Sequence, residues 1–137
     1  MKNPVFSLFA LLLLGFTFTS CKKDNSVLEE QLNGHWSSLT VRIDNTDQSK
    51  FYSYDLFIQA DKTFSLTLNY TPSQLTGAIT QATEGGWAAD ADEQTITLTN
   101  NETNVSTVYK VKSIDESSMI VKNSDNNKET EITFVKK

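Results

Sequence analysis

The chain predicts an all-β domain: a small eight-stranded, up-and-down antiparallel barrel preceded by a short helix. Three observations lead there. Apolar and polar residues alternate with period two in eight successive segments from Trp36 onward, the spacing that sends neighbouring side chains to opposite faces of a strand. Most segments are joined by short runs of Asp, Asn, Glu, Ser and Lys, which are turn residues. No helical period recurs after Leu32.

The segment ahead of the domain has a different character. Lys2 is the only charge before Cys21, and Val5 to Phe18 is an almost unbroken apolar run that includes Leu11 to Leu14. It falls short of the ~20 apolar residues of a membrane-spanning helix and matches the apolar centre of a secretory signal peptide. Phe18-Thr19-Ser20-Cys21 resembles the lipobox of bacterial lipoproteins, with small residues just before the cysteine and Phe18 in place of the usual leucine. The expectation is a cleaved signal peptide over residues 1–20, a thioether-linked lipid on Cys21 with a tether over residues 21–26, and the barrel domain over residues 27–137. Two or more acyl chains on Cys21 anchor a protein stably, at about 0.8 kcal/mol per buried methylene. The partner implied is a membrane, reached through lipid and placing the domain in the cell envelope as an outer-membrane lipoprotein. The charged run Lys22-Lys23-Asp24-Asn25 reads as a plain linker or as a surface-export signal, so the periplasmic and outer faces both stay open.

Ser26 to Leu32 reads as a helix, capped by Ser26 with Glu29 three residues on and ended by Asn33-Gly34. The strands follow in order. Trp36 to Ile43 sets Leu39, Val41 and Ile43 on one face. Tyr52 to Ala60 aligns Tyr52, Tyr54, Leu56 and Ile58. After the Ala60-Asp61-Lys62 turn, Thr63 to Tyr70 aligns Phe64, Leu66, Leu68 and Tyr70. Thr71 to Glu84 breaks the pattern and reads as an irregular segment, a portal lid or a cap on the barrel mouth. Gly86 to Ala89 opens a fourth strand, with Gly85-Gly86 marking a bulge or a strand start. Thr95 to Thr99, Val105 to Ile114, Met119 to Asn123 and Thr130 to Lys136 complete the set. A meander of this kind must blunt its edges or close on itself, and eight strands close around a space that side chains fill or one small ligand occupies. Phe57, Val108 and Val135 oppose apolar neighbours on their own strands; bulges and barrel ends account for this, or an exposed apolar patch does.

The residues resemble the lipocalin-like lipoproteins of Bacteroidota from about Leu32 to the C-terminus. The likeness rests on Leu32-Asn33-Gly34-His35-Trp36 as an opening Gly-x-Trp and on the hairpin Phe57-Ile58-Gln59-Ala60-Asp61-Lys62-Thr63-Phe64. It also rests on Gly85-Gly86-Trp87 with Gln94 to Leu98, and on the closing strands around Tyr109 to Val111 and Met119 to Val121. It implies a barrel with Trp36 plugging its floor. Two positions depart from the pattern. Lys62 stands where a glycine is usual, so the hairpin must avoid positive φ there or carry strain. True lipocalins stack an arginine of the last strand on the first-strand tryptophan; here the only arginine is Arg42, leaving Lys136 and Lys137 as substitutes.

Composition narrows function. At 137 residues the chain holds one domain, large enough to bury about two thirds of its unfolded surface. A single cysteine forbids an intrachain disulfide. With 12 basic against 17 acidic residues the chain carries −5, which argues against nucleic acid as a partner. The one histidine, His35, is expected to pack at the barrel base, and Cys21 is consumed by the lipid. That leaves no catalytic constellation, no metal cluster and no cofactor motif, so the expectation is a non-enzymatic protein. Asp90, Asp92 and Glu93, like Asp44 and Asp47, read as charged turns. The candidate site is the barrel interior, where Tyr52, Tyr54, Phe64, Tyr70, Trp87 and Tyr109 line a cavity for a small, partly apolar ligand. In the other reading those aromatics fill the interior, and the barrel is an interaction module for another envelope protein.

Overall fold

A helix of eight residues, α1 (Asn25–Leu32), leads into a continuous antiparallel sheet that closes on itself. The computed structural model describes residues 23–72 and 77–137; the signal segment and Cys21 lie outside them. The strands are β1 (Gly34–Ile43), β2 (Thr46–Asp47), β3 (Tyr52–Ile58), β4 (Thr63–Tyr70) and β5 (Ile79–Asp90), followed by β6 (Thr95–Asn100), β7 (Ser106–Ile114), β8 (Ser118–Asp125) and β9 (Lys128–Lys136). Each wall strand pairs with the next, and β1 pairs with both β3 and β9, which closes an eight-stranded barrel as the alternation predicts. The two-residue β2 only folds back on the end of β1, through left-handed Asp44 and Asn45.

One end of the barrel is plugged. Leu28 and Leu32 of α1 are buried there with Trp36, whose indole N–H donates to Leu32 O at 2.8 Å. The helix cap is Asp24 rather than Ser26: its carboxylate accepts the Ser26 N–H at 2.9 Å. The chain is fastened on both sides of that cap. Lys23 N–H donates to Asp92 Oδ1 at 3.0 Å, and Asn25 Oδ1 accepts from Ala91 N–H at 2.7 Å. Inward residues such as Leu56, Ile58, Ile96, Leu98, Met119, Ile132 and Phe134 fill the centre, each contributing about 1.5–3 kcal/mol by leaving water.

Other sequence expectations change along the wall. Leu39 does not share a face with Val41 and Ile43; the register shifts between Ser38 and Thr40, which turns Leu39 outward (62 % exposed) while Trp36 and Val41 both point in. The Thr71–Glu84 segment is not irregular throughout, because Ile79 to Glu84 are the first half of β5, paired with β4. Its inward positions Ile79, Gln81 and Thr83 lie at the open end, where the interior becomes solvent and no apolar alternation is needed. Leu75, which with Ile79 gives that segment its apolar residues, lies outside the described residues. Gly85 and Gly86 form no bulge; they sit mid-strand, paired with Asn100 and Thr99. A Cβ on Gly85 would lie 1.8 Å from Thr99 O, so glycine there lets two backbones approach. Finally, Phe57 and Val108 lie in regular pairings and face outward, 43 % and 50 % exposed, so bulges do not explain them.

Lys62 adopts the strained option. Its φ is +70°, a left-handed conformation that costs a non-glycine residue about 1–2 kcal/mol. The turn offsets that locally. Asp61 Oδ1 accepts from both the N–H and the hydroxyl of Thr63, and Lys62 Nζ pairs with Glu29 Oε1 at 2.5 Å while lying 4.3 Å from the Trp87 ring centroid.

Candidate functional site

The six candidate aromatics do not form one cluster. Trp87 belongs to the plugged end, where its indole N–H donates to Gln59 O at 2.9 Å under Lys62. Phe64 is buried against Gly85. Tyr52 and Tyr70 are cross-strand partners at the open end, stacked with centroids 4.6 Å apart and ring planes 21° from parallel. Tyr54 and Tyr109 lie between, at the centre of the barrel.

The centre is full. The cavity that Tyr54, Leu56, Leu98, Tyr109, Val121 and Phe134 enclose measures about 10 Å³, room for one water at most. Beside it, reached from the mouth, is a cup of about 200 Å³ between Phe64, Leu66, Thr83, Leu98, Thr107 and Tyr109, and it is open to solvent. A drug-sized ligand usually needs ~300 Å³ or more. Burial pushes the Tyr109 hydroxyl up to about 12, with the charge of Tyr54 adding to it, and burial likewise raises Tyr54. Both phenols therefore stay neutral at physiological pH.

The mouth is more apolar than the sequence pattern suggests. Phe51 and Ile79 are 42 % and 49 % exposed beside the Tyr52–Tyr70 stack, and Val105 is 62 % exposed in the β6–β7 connection. Sequence reasoning puts Ile79 in the Thr71–Glu84 lid or cap and Val105 at the start of a strand, and it misses Phe51, because alternation stops at strand ends. The absence of Gly, Pro, Asn and Asp from Ile79 to Glu84 is the available signal for an extended β5.

His35 lies on the outer wall rather than in the base. Its ring meets Phe57 edge-on at 5.9 Å, and Nε2 is 3.6 Å from Asp55 Oδ1. Asp55 also accepts the Ser37 hydroxyl and pairs with Lys137 at 3.2 Å. The Ser37 hydrogen bond, then Lys137 and His35, hold the Asp55 carboxyl below its usual range against opposing desolvation. Ser37 is bonded to Asp55 and not to His35, so the cluster has no nucleophile–base geometry. Among the described residues no three His, Cys, Asp or Glu side chains group to hold a metal, and no helix is long and apolar enough to cross a membrane.

The domain is thus a closed barrel with a solid centre, a plugged floor and a rim that exposes Phe51, Ile79 and Val105. A model of the NlpE N-terminal domain family matches residues 52–131, from β3 into β9 and including all six candidate aromatics. That is more than half of the chain, and the chain belongs to this family of non-enzymatic lipoproteins of the cell envelope. Comparison with curated proteins finds no match.

Proposed function

We propose that the protein is a lipid-anchored interaction module of the cell envelope, whose open rim contacts another envelope protein. The observation that carries this is the packed centre: with about 10 Å³ inside, binding chemistry is left to the surface, and the rim exposes Phe51, Ile79 and Val105 at its strand ends. The family supports the reading, since NlpE is an envelope stress signalling protein. A lipid on Cys21 would sit two residues from Lys23, which is fastened to the plugged end, so the rim would point away from the membrane. The likeness to lipocalin-like lipoproteins of Bacteroidota fits the same picture and favours the outer membrane as its home. The test is site-directed photo-cross-linking in native envelopes. A cross-linker at Val105 is expected to capture a discrete protein adduct that one at Leu39, on the outer wall, does not. Equal capture at both sites, or none at Val105, overturns the reading.

A second reading rests on the mouth cup of about 200 Å³. Phe64 and Tyr109 line it, with the Tyr52–Tyr70 stack nearby at the open end, and it would take a small, partly apolar molecule. Native mass spectrometry of the lipoprotein from its own envelope is expected to show a co-purifying small mass if this holds. A bare protein mass argues for the rim alone.

A further inference from the structure

The barrel wall is incomplete on one side of its rim. From Gly85 to Asp90, β5 is paired with β6, and the rest of the strand is paired with β4, with no β6-side partner from Ile79 to Thr83, because β6 ends at Asn100. The direction of the free groups follows from their neighbours. Trp87 N–H donates to Lys62 O on the β4 side, and Glu84 O accepts from Asn101 N–H on the β6 side. Even-numbered residues of β5 therefore present their backbone toward β6, and Thr80 and Ala82 present an N–H and a C=O each into the gap beyond it. Among the described residues nothing bonds these four groups.

Proteins normally blunt such an edge with lysine, proline, a bulge or a cover. Ile79-Thr80-Gln81-Ala82-Thr83-Glu84 has no lysine, no proline and no register shift. The notch beside it, about 390 Å³, is lined by Ala82, Thr83, Glu84, Asn100, Asn101 and Glu102. Its two carboxylates, Glu84 and Glu102, are exposed and pair with no cation among the described residues.

We propose that this notch takes an extended, basic polypeptide segment of a partner protein, which adds to β5 as an antiparallel strand where β6 stops. Backbone hydrogen bonds to Thr80 and Ala82 supply the register, and cationic side chains answer Glu84 and Glu102. A second copy of this chain fits poorly, because it brings the same two carboxylates and a net charge of −5 against its twin. The inference rests on the rim being the contact surface and names its partner's chemistry.

The test uses the full chain in detergent micelles and a seven-residue peptide alternating valine and threonine, with a lysine at each end. Amide exchange at Thr80 and Ala82 is expected to slow by about tenfold or more at saturation, and the same peptide with glutamates for lysines is expected to do nothing. Ala82→Pro removes one outward N–H without touching the β4 ladder and is expected to abolish protection while leaving the thermal transition in place. If that variant folds poorly, Glu84→Lys serves, and is expected to weaken the basic peptide and admit the acidic one. No slowing by the basic peptide, equal slowing by the acidic one, or protection only elsewhere overturns the proposal. Failure here with an intact Val105 cross-link removes the strand and keeps the rim; loss of the cross-link removes both.

Discussion

Lys136 Nζ lies 4.9 Å from the centroid of the Trp36 ring, so the last strand places a cation on the tryptophan of the first. Of the two lysines that the sequence offers in place of a lipocalin arginine, it is Lys136 that reaches the ring. The lysine reaches it because Gly34 has no side chain: a Cβ there would sit 2.5 Å from Lys136 Cε. Trp36 is thus held from both sides, by its indole bond to Leu32 O and by the ammonium over its face.

Lys136→Ala is therefore expected to cost about 0.5–1 kcal/mol, the worth of a partly exposed cation–π contact, and Lys136→Arg to restore or exceed the parent. Gly34→Ala is expected to cost more, since φ at Gly34 is +139°, a conformation that L side chains rarely adopt. Thermal denaturation of the three variants decides it. Lys136→Ala melting with the parent would show that the contact contributes nothing.

The wall of the barrel was legible because its strands separate a solid centre from water. Tyr54, Leu56 and Ile58 alternate with Ser53, Asp55 and Phe57 for that reason, and β4 repeats the pattern. Legibility fails where that contrast disappears. At the rim both faces of β5 meet solvent, so Ile79 to Glu84 carry no alternation and read as loop. At Ser38–Thr40 one extra residue reverses the faces, and a period-two reading of Leu39 follows the wrong phase. The candidate site was legible residue by residue but not as a group. Strand pairing could set Tyr52 against Tyr70, yet nothing in spacing places Trp87 under Lys62 or leaves the centre about 10 Å³ short of full.

Adjacent glycines on β5 give a sharper test of the packing. Gly85→Ala would put a methyl 1.8 Å from Thr99 O, a backbone atom that cannot swing away, and 3.0 Å from Phe64. Overpacking of this kind costs about 1–3 kcal/mol or more, and pairing of β5 with β6 is expected to suffer. At Gly86 an added methyl would meet Lys62 O as its nearest heavy atom, at 3.7 Å, which is ordinary contact. Gly86→Ala is expected to be neutral or to stabilise by about 0.4–1 kcal/mol through the unfolded chain. Urea unfolding of both variants separates them; comparable midpoints would contradict the close approach of the two strands.

Acid should loosen the β7–β8 turn. Asp115 accepts the backbone N–H groups of Ser117 and Ser118 and both of their hydroxyls, at 2.7–3.0 Å. Those bonds, led by the Ser117 N–H, lower its pKa from 3.8 to about 2. Because the folded value lies below the unfolded one, the turn's stabilisation is complete above about pH 4 and is lost as the pH falls toward 2. Asp115→Asn is expected to melt lower than the parent at neutral pH and to lose less between pH 4 and pH 2. Parallel melting-temperature profiles for the two proteins would show that the turn carries no proton linkage.

The anchor can be separated from the barrel. Lys23 is hydrogen-bonded to Asp92 in the β5–β6 turn, and two residues span at most about 7 Å, so an acylated Cys21 would hold the plugged end against the lipid. That end carries Asp61, Asp92, Glu93, Asp115 and Glu116 in its turns and Asp90 at the end of β5, against Lys23, Lys62, Lys136 and Lys137, so it presents no net positive face to an anionic lipid surface. If Cys21 is acylated, attachment comes from acyl insertion and not from electrostatics, which predicts a specific pattern. The parent should remain with membranes through a high-salt wash, since screening removes charge attraction but not hydrocarbon burial. Cys21→Ala should move to the soluble fraction with its barrel intact, its melting temperature matching that of the parent in detergent. A Cys21→Ala protein that still sediments with membranes once residues 1–20 have been removed would place the attachment in the barrel itself, and the rim could then no longer be assigned the side facing away.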